Sequence, residues 1–298
     1  MLKLKTENCR IAAVYDMRYE TPVDITDGSG NFGKPVYTLK SQDITKEKKP
    51  EFTPYNDYSV PYTETENGIL LNKDFGVSLT AEETDGGIVL EINFTNEDVS
   101  ACGISLPFSF MGQKNNSWER QFTASSPYRT ADGKHLMFYL VRPDGKNLVC
   151  IAENETDGYR INYSDFLCGH YIMGIQFLSQ FDRAYGRQTR AEKRVKLHIK
   201  AVSDYREALE KASGLWGIPA LYYETASGYK NQPFGFSAIG EWDKLTVTAP
   251  SGKKEVLENT AFIPDEYGIY AATPYNGGIA GADCSFFTYR GLVWLSEI

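Results

Sequence analysis

The sequence predicts an all-β protein in which a large antiparallel sandwich is followed by a smaller one, with one helix between them. Three observations predict it. The 298 residues include 20 Tyr and 16 Phe, and aromatic enrichment is typical of pleated, half-buried surfaces. Short apolar segments alternate with turn residues along most of the chain, and only one segment has helical spacing. At 33.5 kDa the chain is near the size at which one core gives way to two domains.

The first domain begins with a turn-rich region up to about residue 62, which predicts edge strands and surface loops. Regular patterning then starts with Val77, Leu79 and Ala81, which alternate with polar neighbours. A turn at 85–87 and the β-branched run 88–94 complete a predicted hairpin. Further strands are predicted at 103–110, 135–142, 148–153, 171–178 and 194–200, with turns such as the Pro-Asp-Gly turn at 142–145 between them.

The strand at 194–200 has the clearest alternation, because Val195, Leu197 and Ile199 are separated by charged residues and His198. This pattern predicts one buried face and one solvated face, with His198 on the solvated face.

The single predicted helix runs from Ser203 to about Ala212, and its apolar residues recur at helical spacing. Ser203 or Asp204 can cap its start, and Gly214 can end it. A helix between two series of strands marks a domain boundary, so we expect a first domain at 1–214 and a second at 215–298.

In the second domain, residues 245–248 and 253–257 read as strands around the turn 249–252. The segment from Asp265 through Gly268 to Tyr270 resembles the D-x-x-G-x-Y region of immunoglobulin-like sandwiches, in which a tyrosine hydroxyl bonds back to the corner backbone. The antibody cysteine pattern is missing, so the resemblance is to members without a disulfide.

Charge and composition exclude several classes of function. A net charge of −8 and a pI near 5.1 disfavour nucleic-acid binding, which normally requires a basic face. No apolar run is long enough for a membrane helix, and residues 1–7 lack a signal-peptide apolar region, so we expect a cytoplasmic protein. Five widely spaced cysteines predict reduced thiols and no zinc site.

The search for catalytic motifs finds no convincing set. Residues 28–33 match G-x-G-x-x-G, but no apolar strand precedes them and Pro35 follows, so they predict a loop without a dinucleotide. Of three histidines, His170 beside Asp165 is the best candidate for a functional role, although a structural histidine explains it as well. We therefore expect no catalytic residues, metal or cofactor in this chain.

One irregular stretch combines the groups that a sugar site uses. Trp118, Glu119 and Arg120 are followed by Tyr128 and Arg129. A tryptophan face stacks on a sugar ring, while a carboxylate and a guanidinium bond to its hydroxyls. A buried tryptophan beside a salt bridge explains the same residues, so both interpretations stay open.

The runs from Phe75 to Phe108 and from Asp132 to Gly145 resemble the large sandwich of galactose-mutarotase-like proteins, often called a supersandwich. The helix and the immunoglobulin-like region, closing with residues 292–295, are similar to the front of a six-hairpin glycosidase. This resemblance implies a carbohydrate ligand and a partner catalytic barrel that is absent from the sequence. The acid and base residues of mutarotases have no match here.

Three hypotheses remain open. The first is a non-catalytic, carbohydrate-associated module from the N-terminal portion of a glycoside-processing enzyme. The second is a mutarotase-like epimerase or lyase acting through His170. The third is a structural or adhesion protein that binds no sugar.

Overall fold

The structure, a computed structural model, describes residues 1–30, 32–40, 62–72, 77–94, 99–110, 118–130, 135–153, 159–164, 172–177, 181–182, 187–188 and 194–289. These residues form an all-β, sandwich-like protein with a single α-helix, as predicted. The chain divides into two compact units. The first comprises 1–127 and 136–203, and the second comprises 128–135 and 204–298.

Seventeen strands precede the helix in the described residues: β1 Leu2–Glu7, β2 Arg10–Asp16, β3 Val23–Asp24, β4 Lys34–Lys40, β5 Thr63–Glu64, β6 Leu70–Asn72, β7 Val77–Thr84, β8 Gly87–Phe94, β9 Val99–Ser105, β10 Ala124–Arg129, β11 Leu136–Val141, β12 Asn147–Ala152, β13 Tyr159–Ser164, β14 Ile172–Phe177, β15 Phe181–Asp182, β16 Arg187–Gln188 and β17 Arg194–Val202. A short 3₁₀ helix, Trp118–Arg120, precedes β10.

The largest sheet has eight strands in the order β10-β11-β12-β17-β8-β7-β6-β5. The hairpin β7–β8 joins through Asp85 and Gly86, as the alternation predicted. Smaller sheets have the orders β1-β2-β3, β13-β14-β9-β4 and β15-β16. A hydrophobic core in this unit draws side chains from the eight-stranded sheet, from β1 and β2, and from Phe32, Phe108 and Phe122.

The strands at the centre of the large sheet are buried on both faces. Every residue of β12 is buried, and five of the six residues of β11 are buried. The predicted solvated face of β17 is therefore wrong for His198, which is only 8% exposed. Its cross-strand neighbours, Ile151 and Val89, are buried on the same face, and its ring bonds to Glu153.

A buried ion pair links the end of β2 to the β11–β12 turn. Asp16 is fully buried, and its Oδ2 accepts a hydrogen bond of 2.7 Å from Nη1 of Arg142, which is 2% exposed. Arg18 also donates to Asp16, at 2.8 Å from Nη2 to Oδ2. The Arg142 guanidinium carbon lies 4.4 Å from the centre of the Phe122 ring, a cation–π contact.

The second unit contains the helix α1 Tyr205–Trp216 and ten strands: β18 Ala220–Tyr222, β19 Ser227–Tyr229, β20 Phe234–Gly235, β21 Ser237–Ile239, β22 Lys244–Thr248, β23 Lys254–Leu257, β24 Ala261–Phe262, β25 Gly268–Asn276, β26 Ile279–Ala280 and β27 Cys284–Tyr289. Its main sheet has the order β19-β27-β25-β22-β23, with β26 paired to β25.

The helix begins where the sequence predicted and ends later than expected. Asp204 caps its start by accepting a hydrogen bond from the Glu207 N–H at 2.8 Å. Gly214 lies inside the helix, and Gly217 ends it in the left-handed region, with φ 67°. The predicted helix end at Gly214 was therefore wrong, because Gly217, and not Gly214, adopts the left-handed conformation that ends the helix. The helix groups with the second unit, and the boundary at 214 stays a prediction.

An aromatic stack forms the core of the second unit. The Phe286 ring stacks on Phe234 at 4.0 Å and on Tyr270 at 5.1 Å between ring centres. The Tyr270 hydroxyl accepts a hydrogen bond of 2.6 Å from the Glu266 N–H, so the predicted bond from tyrosine to corner backbone is present.

Replacing Tyr270 with Phe should lower the free energy of unfolding by about 1 kcal/mol, because the Glu266 N–H loses its acceptor while the ring stack remains. Urea denaturation measures the change. Tyr275→Phe is the matched control, since the Tyr275 hydroxyl has no hydrogen bond among the described residues. Equal losses in both variants would rule out a role for the corner bond.

Replacing Asp16 with Asn should cost about 3–5 kcal/mol of stability at pH 7, because the Arg142 charge would stay buried without its carboxylate. Glu83→Gln, which breaks the exposed pair with Lys3, is the control and should cost less than about 1 kcal/mol. Thermal denaturation of both variants provides the comparison.

The cost of Asp16→Asn should also depend on pH. Burial alone would raise the pKa of Asp16, but hydrogen bonds and charge from Arg18, with the charge of Arg142, bring this pKa below its usual value. The stabilisation is therefore complete above an unfolded-state pKa of about 3.9 and is lost as the pH falls through the lower folded-state pKa. A stability difference that is unchanged down to pH 2 would contradict this account.

Candidate binding cluster around Tyr19

Three separate parts of the first unit bring polar side chains together around Tyr19. Tyr19 follows β2, Asp144 and Lys146 belong to the β11–β12 turn, and Arg120 ends the short 3₁₀ helix. We call Tyr19, Arg120, Asp144 and Lys146 the Tyr19 cluster. The Asp16–Arg142 ion pair lies beside it, since Arg142 contacts both Asp16 and Tyr19.

The β11–β12 turn presents Asp144 and Lys146 in a fixed geometry. Pro143 and Asp144 are its central residues, and the Gly145 N–H donates to the Arg142 carbonyl at 3.1 Å. Gly145 has φ 75°, a conformation that favours glycine. The Lys146 N–H then donates to Oδ1 of Asp144 at 3.0 Å. The predicted Pro-Asp-Gly turn is therefore present.

Two arginine side chains donate hydrogen bonds to the backbone of this turn. Nη2 of Arg18 donates to the carbonyls of Lys146 and Asn147, both at 2.9 Å, and Nη1 of Arg142 donates to the Lys146 carbonyl at 3.2 Å. The Asn147 side chain accepts from the Arg142 N–H and donates to the Ser203 carbonyl. These bonds fix the backbone that carries Lys146.

Tyr19 is half-buried and is the centre of the cluster. Its hydroxyl donates to Oδ2 of Asp144 at 2.5 Å. Nζ of Lys146 lies 3.7 Å from the ring centre, and the guanidinium carbons of Arg120 and Arg142 lie at 5.5 and 5.6 Å. Three cations therefore approach one aromatic ring within cation–π distance.

Burial and the hydrogen bond to Asp144 raise the pKa of Tyr19 to about 12. The phenol is therefore protonated at neutral pH, so it can donate a hydrogen bond but is a poor general base. The cluster offers ammonium and guanidinium donors held over an aromatic ring, which is a combination suited to binding polar ligands.

That the sequence-predicted residues form one sugar site stays a prediction. Glu119 and Arg120 are exposed in the first unit, and Arg120 joins the Tyr19 cluster. Tyr128 belongs to the second unit, where its ring stacks on Trp216 at 6.3 Å. The side chains of Trp118 and Arg129 lie outside the described part, as does all of His170.

Other sequence candidates have structural explanations. His135 packs its ring on Trp216 at 5.3 Å, and residues 28–30 form a bend between β3 and β4 with no helix after it. In the described residues no group of His, Cys, Asp and Glu could hold a metal ion, and no helix is long and apolar enough to cross a membrane.

The thiols of Cys9, Cys150 and Cys284 are free, as the cysteine spacing predicted. Burial raises the pKa of both Cys150 and Cys284 to about 12, so these two thiols are poor nucleophiles.

Sequence reasoning missed Tyr19, Asp144 and Lys146 as members of a site. The Pro-Asp-Gly turn was visible in the sequence, but nothing in it indicated Tyr19, which is 125 positions before Asp144. Their proximity results from the contact of β2 with the β11–β12 turn.

Comparisons with known proteins give a match in fold. No protein-family model matches the chain, and no curated protein matches it. A solved structure of a polysaccharide lyase is similar in fold, with a TM-score of 0.60 and 11% sequence identity. The likeness covers 97% of this chain and 46% of the lyase chain, so this chain spans less than half of the lyase's length. At this identity the match shows that the two proteins share a β-sandwich fold.

Proposed function

We propose that this chain is a non-catalytic, carbohydrate-associated module of a polysaccharide-processing protein, and that it binds glycan through the Tyr19 cluster. The observation that carries the proposal is the pair of accessible cations, Arg120 and Lys146, held over the half-buried Tyr19 ring. Ammonium and guanidinium donors held in place on an aromatic ring suit a ligand with many oxygen atoms, such as a glycan.

The fold comparison supports the same class of ligand. A protein titled a polysaccharide lyase shares this β-sandwich fold, and more than half of its chain lies outside the likeness. We infer that catalysis belongs to a further domain of a larger protein, which the resemblance to six-hairpin glycosidases also implies. The galactose-mutarotase-like and immunoglobulin-like assignments are part of this proposal.

A protonated phenol favours binding over catalysis at the cluster. At neutral pH Tyr19 retains its proton, because the pKa of Tyr19 is raised to about 12. Asp144 accepts hydrogen bonds at both oxygens, from the Tyr19 hydroxyl and the Lys146 N–H. Neither group is therefore poised to remove a proton from a sugar.

Glycan binding is tested by affinity electrophoresis of the chain in gels that contain neutral or acidic polysaccharides. We expect at least one polysaccharide to retard the wild type. The double variant Arg120→Ala, Lys146→Ala should bind it at least about tenfold more weakly, because each charge-assisted hydrogen bond contributes about 1.5–3 kcal/mol.

The control for this experiment is Lys244→Ala. Lys244 also lies over a tyrosine ring, with Nζ 5.3 Å from the centre of Tyr275, but it belongs to the second unit. Its removal should leave retardation unchanged. No retardation by any polysaccharide, or equal losses in the double variant and the control, would refute the proposed function.

A lyase is the second candidate, because a phenol, a carboxylate and several cations meet in one cluster and the similar structure is titled a lyase. A lyase would release unsaturated sugars, whose conjugated double bond absorbs in the ultraviolet. We expect no increase in absorbance when the chain is incubated with acidic polysaccharides. An increase that Tyr19→Phe abolishes would instead establish catalysis in this chain.

A further inference from the structure

The Tyr19 cluster carries positive charge in an otherwise acidic protein. The whole chain has a net charge of −8. Around Tyr19, however, the four cations Arg18, Arg120, Arg142 and Lys146 are accompanied by two bonded carboxylates: Asp16, which pairs with Arg18 and Arg142, and Asp144, which accepts the Tyr19 hydroxyl. Glu20 and Glu119 flank the cluster along the chain, but they are exposed and make no ion pair with it among the described residues. The contacting groups therefore leave an excess of two positive charges.

The four cations divide into two kinds. Arg18 and Arg142 are paired with Asp16 and bonded to backbone carbonyls, so they serve the fold. Arg120 and Lys146 form no ion pair among the described residues, and their recorded contacts are with the Tyr19 ring. Arg120 is exposed and Lys146 is half-exposed, so a ligand can reach both.

Asp144 is not arranged to neutralise these two cations. Its Oδ2 accepts the Tyr19 hydroxyl, and its Oδ1 accepts the Lys146 backbone N–H. Because the carboxylate is held by these bonds, the Lys146 ammonium group lies over the ring instead. Lys146 Nζ and the Arg120 guanidinium carbon lie 3.7 and 5.5 Å from the centre of one ring, so the two like charges are close enough to repel each other, and a bound anion would offset that repulsion.

We infer that the Tyr19 cluster selects glycans that carry an anionic oxygen group, a carboxylate or a sulfate ester, over neutral glycans. This inference rests on the proposed function and names its class of ligand. Arg120 and Lys146, which lie over the Tyr19 ring, would donate to the anion of the bound sugar. Because the groups are solvent-accessible, affinity should fall as ionic strength rises.

The test uses monosaccharides in matched pairs. The full chain is titrated with glucuronate, with its neutral methyl ester, with glucose 6-sulfate and with glucose, while NMR follows the Arg120 Nε–H and Lys146 Nζ signals. We expect saturable shifts with at least one anion, and binding at least tenfold tighter than that of its neutral partner. Binding of glucuronate alone identifies a carboxylate, binding of the sulfate alone identifies a sulfate ester, and both outcomes support the inference.

Variants separate this site from general attraction to a cationic surface. Arg120→Gln and Lys146→Gln should each weaken anion binding at least about fivefold, whereas Lys244→Gln should leave it unchanged. The amide spectrum of each variant verifies the fold. The inference is overturned if neutral sugars bind as tightly as their anions, if no saturable shift occurs, or if Lys244→Gln weakens binding equally.

The two proposals fail in different ways. If a neutral polysaccharide retards the chain through Arg120 and Lys146 while the anions show no preference, the proposed function stands and the selectivity falls. If the anions bind as expected but no polysaccharide retards the chain, the proposed function falls while the preference of the cluster for anions stands.

Discussion

The contact between Asp16 and Arg142 is the constraint on which the candidate site depends. Both side chains are buried, and removing either would leave an uncompensated charge in the core. The pair ties the end of β2 to the turn between β11 and β12, and Arg18 strengthens the connection through the carbonyls of that turn. Tyr19 and Lys146 lie together because the chain on either side of them is fixed in this way.

Local patterns in the sequence predicted most of the fold. The β7–β8 hairpin, the turn after Arg142, the cap at Asp204 and the hydroxyl bond of Tyr270 each depend on a few neighbouring residues. The wrong predictions concern features that depend on contacts between residues far apart in the sequence. His198 alternates with buried residues, yet it is buried itself, between its cross-strand neighbours Val89 and Ile151 and in contact with Glu153.

The candidate site was less predictable than the fold, for a physical reason. Arg120 was identified because it follows Trp118 and Glu119, but its partner Tyr19 is about a hundred positions away. Spacing along a strand or helix indicates which side chains share a face, and it gives no information on which loops meet. Tyr128 shows the same limit, because only the folded chain reveals that its ring packs on Trp216.

The second unit draws residues 128–135 from inside the sequence of the first. Tyr128 and His135 pack against the Trp216 ring. During synthesis, these eight residues are made well before Trp216. They can therefore pack on it only after residues 136–203 have been made. Such a closure between distant segments slows folding. Transplanting 204–298 into another protein would also leave the Trp216 ring without these two neighbours. In evolution, the two units are therefore expected to be inherited together, and recombination at a single point between them would be disfavoured.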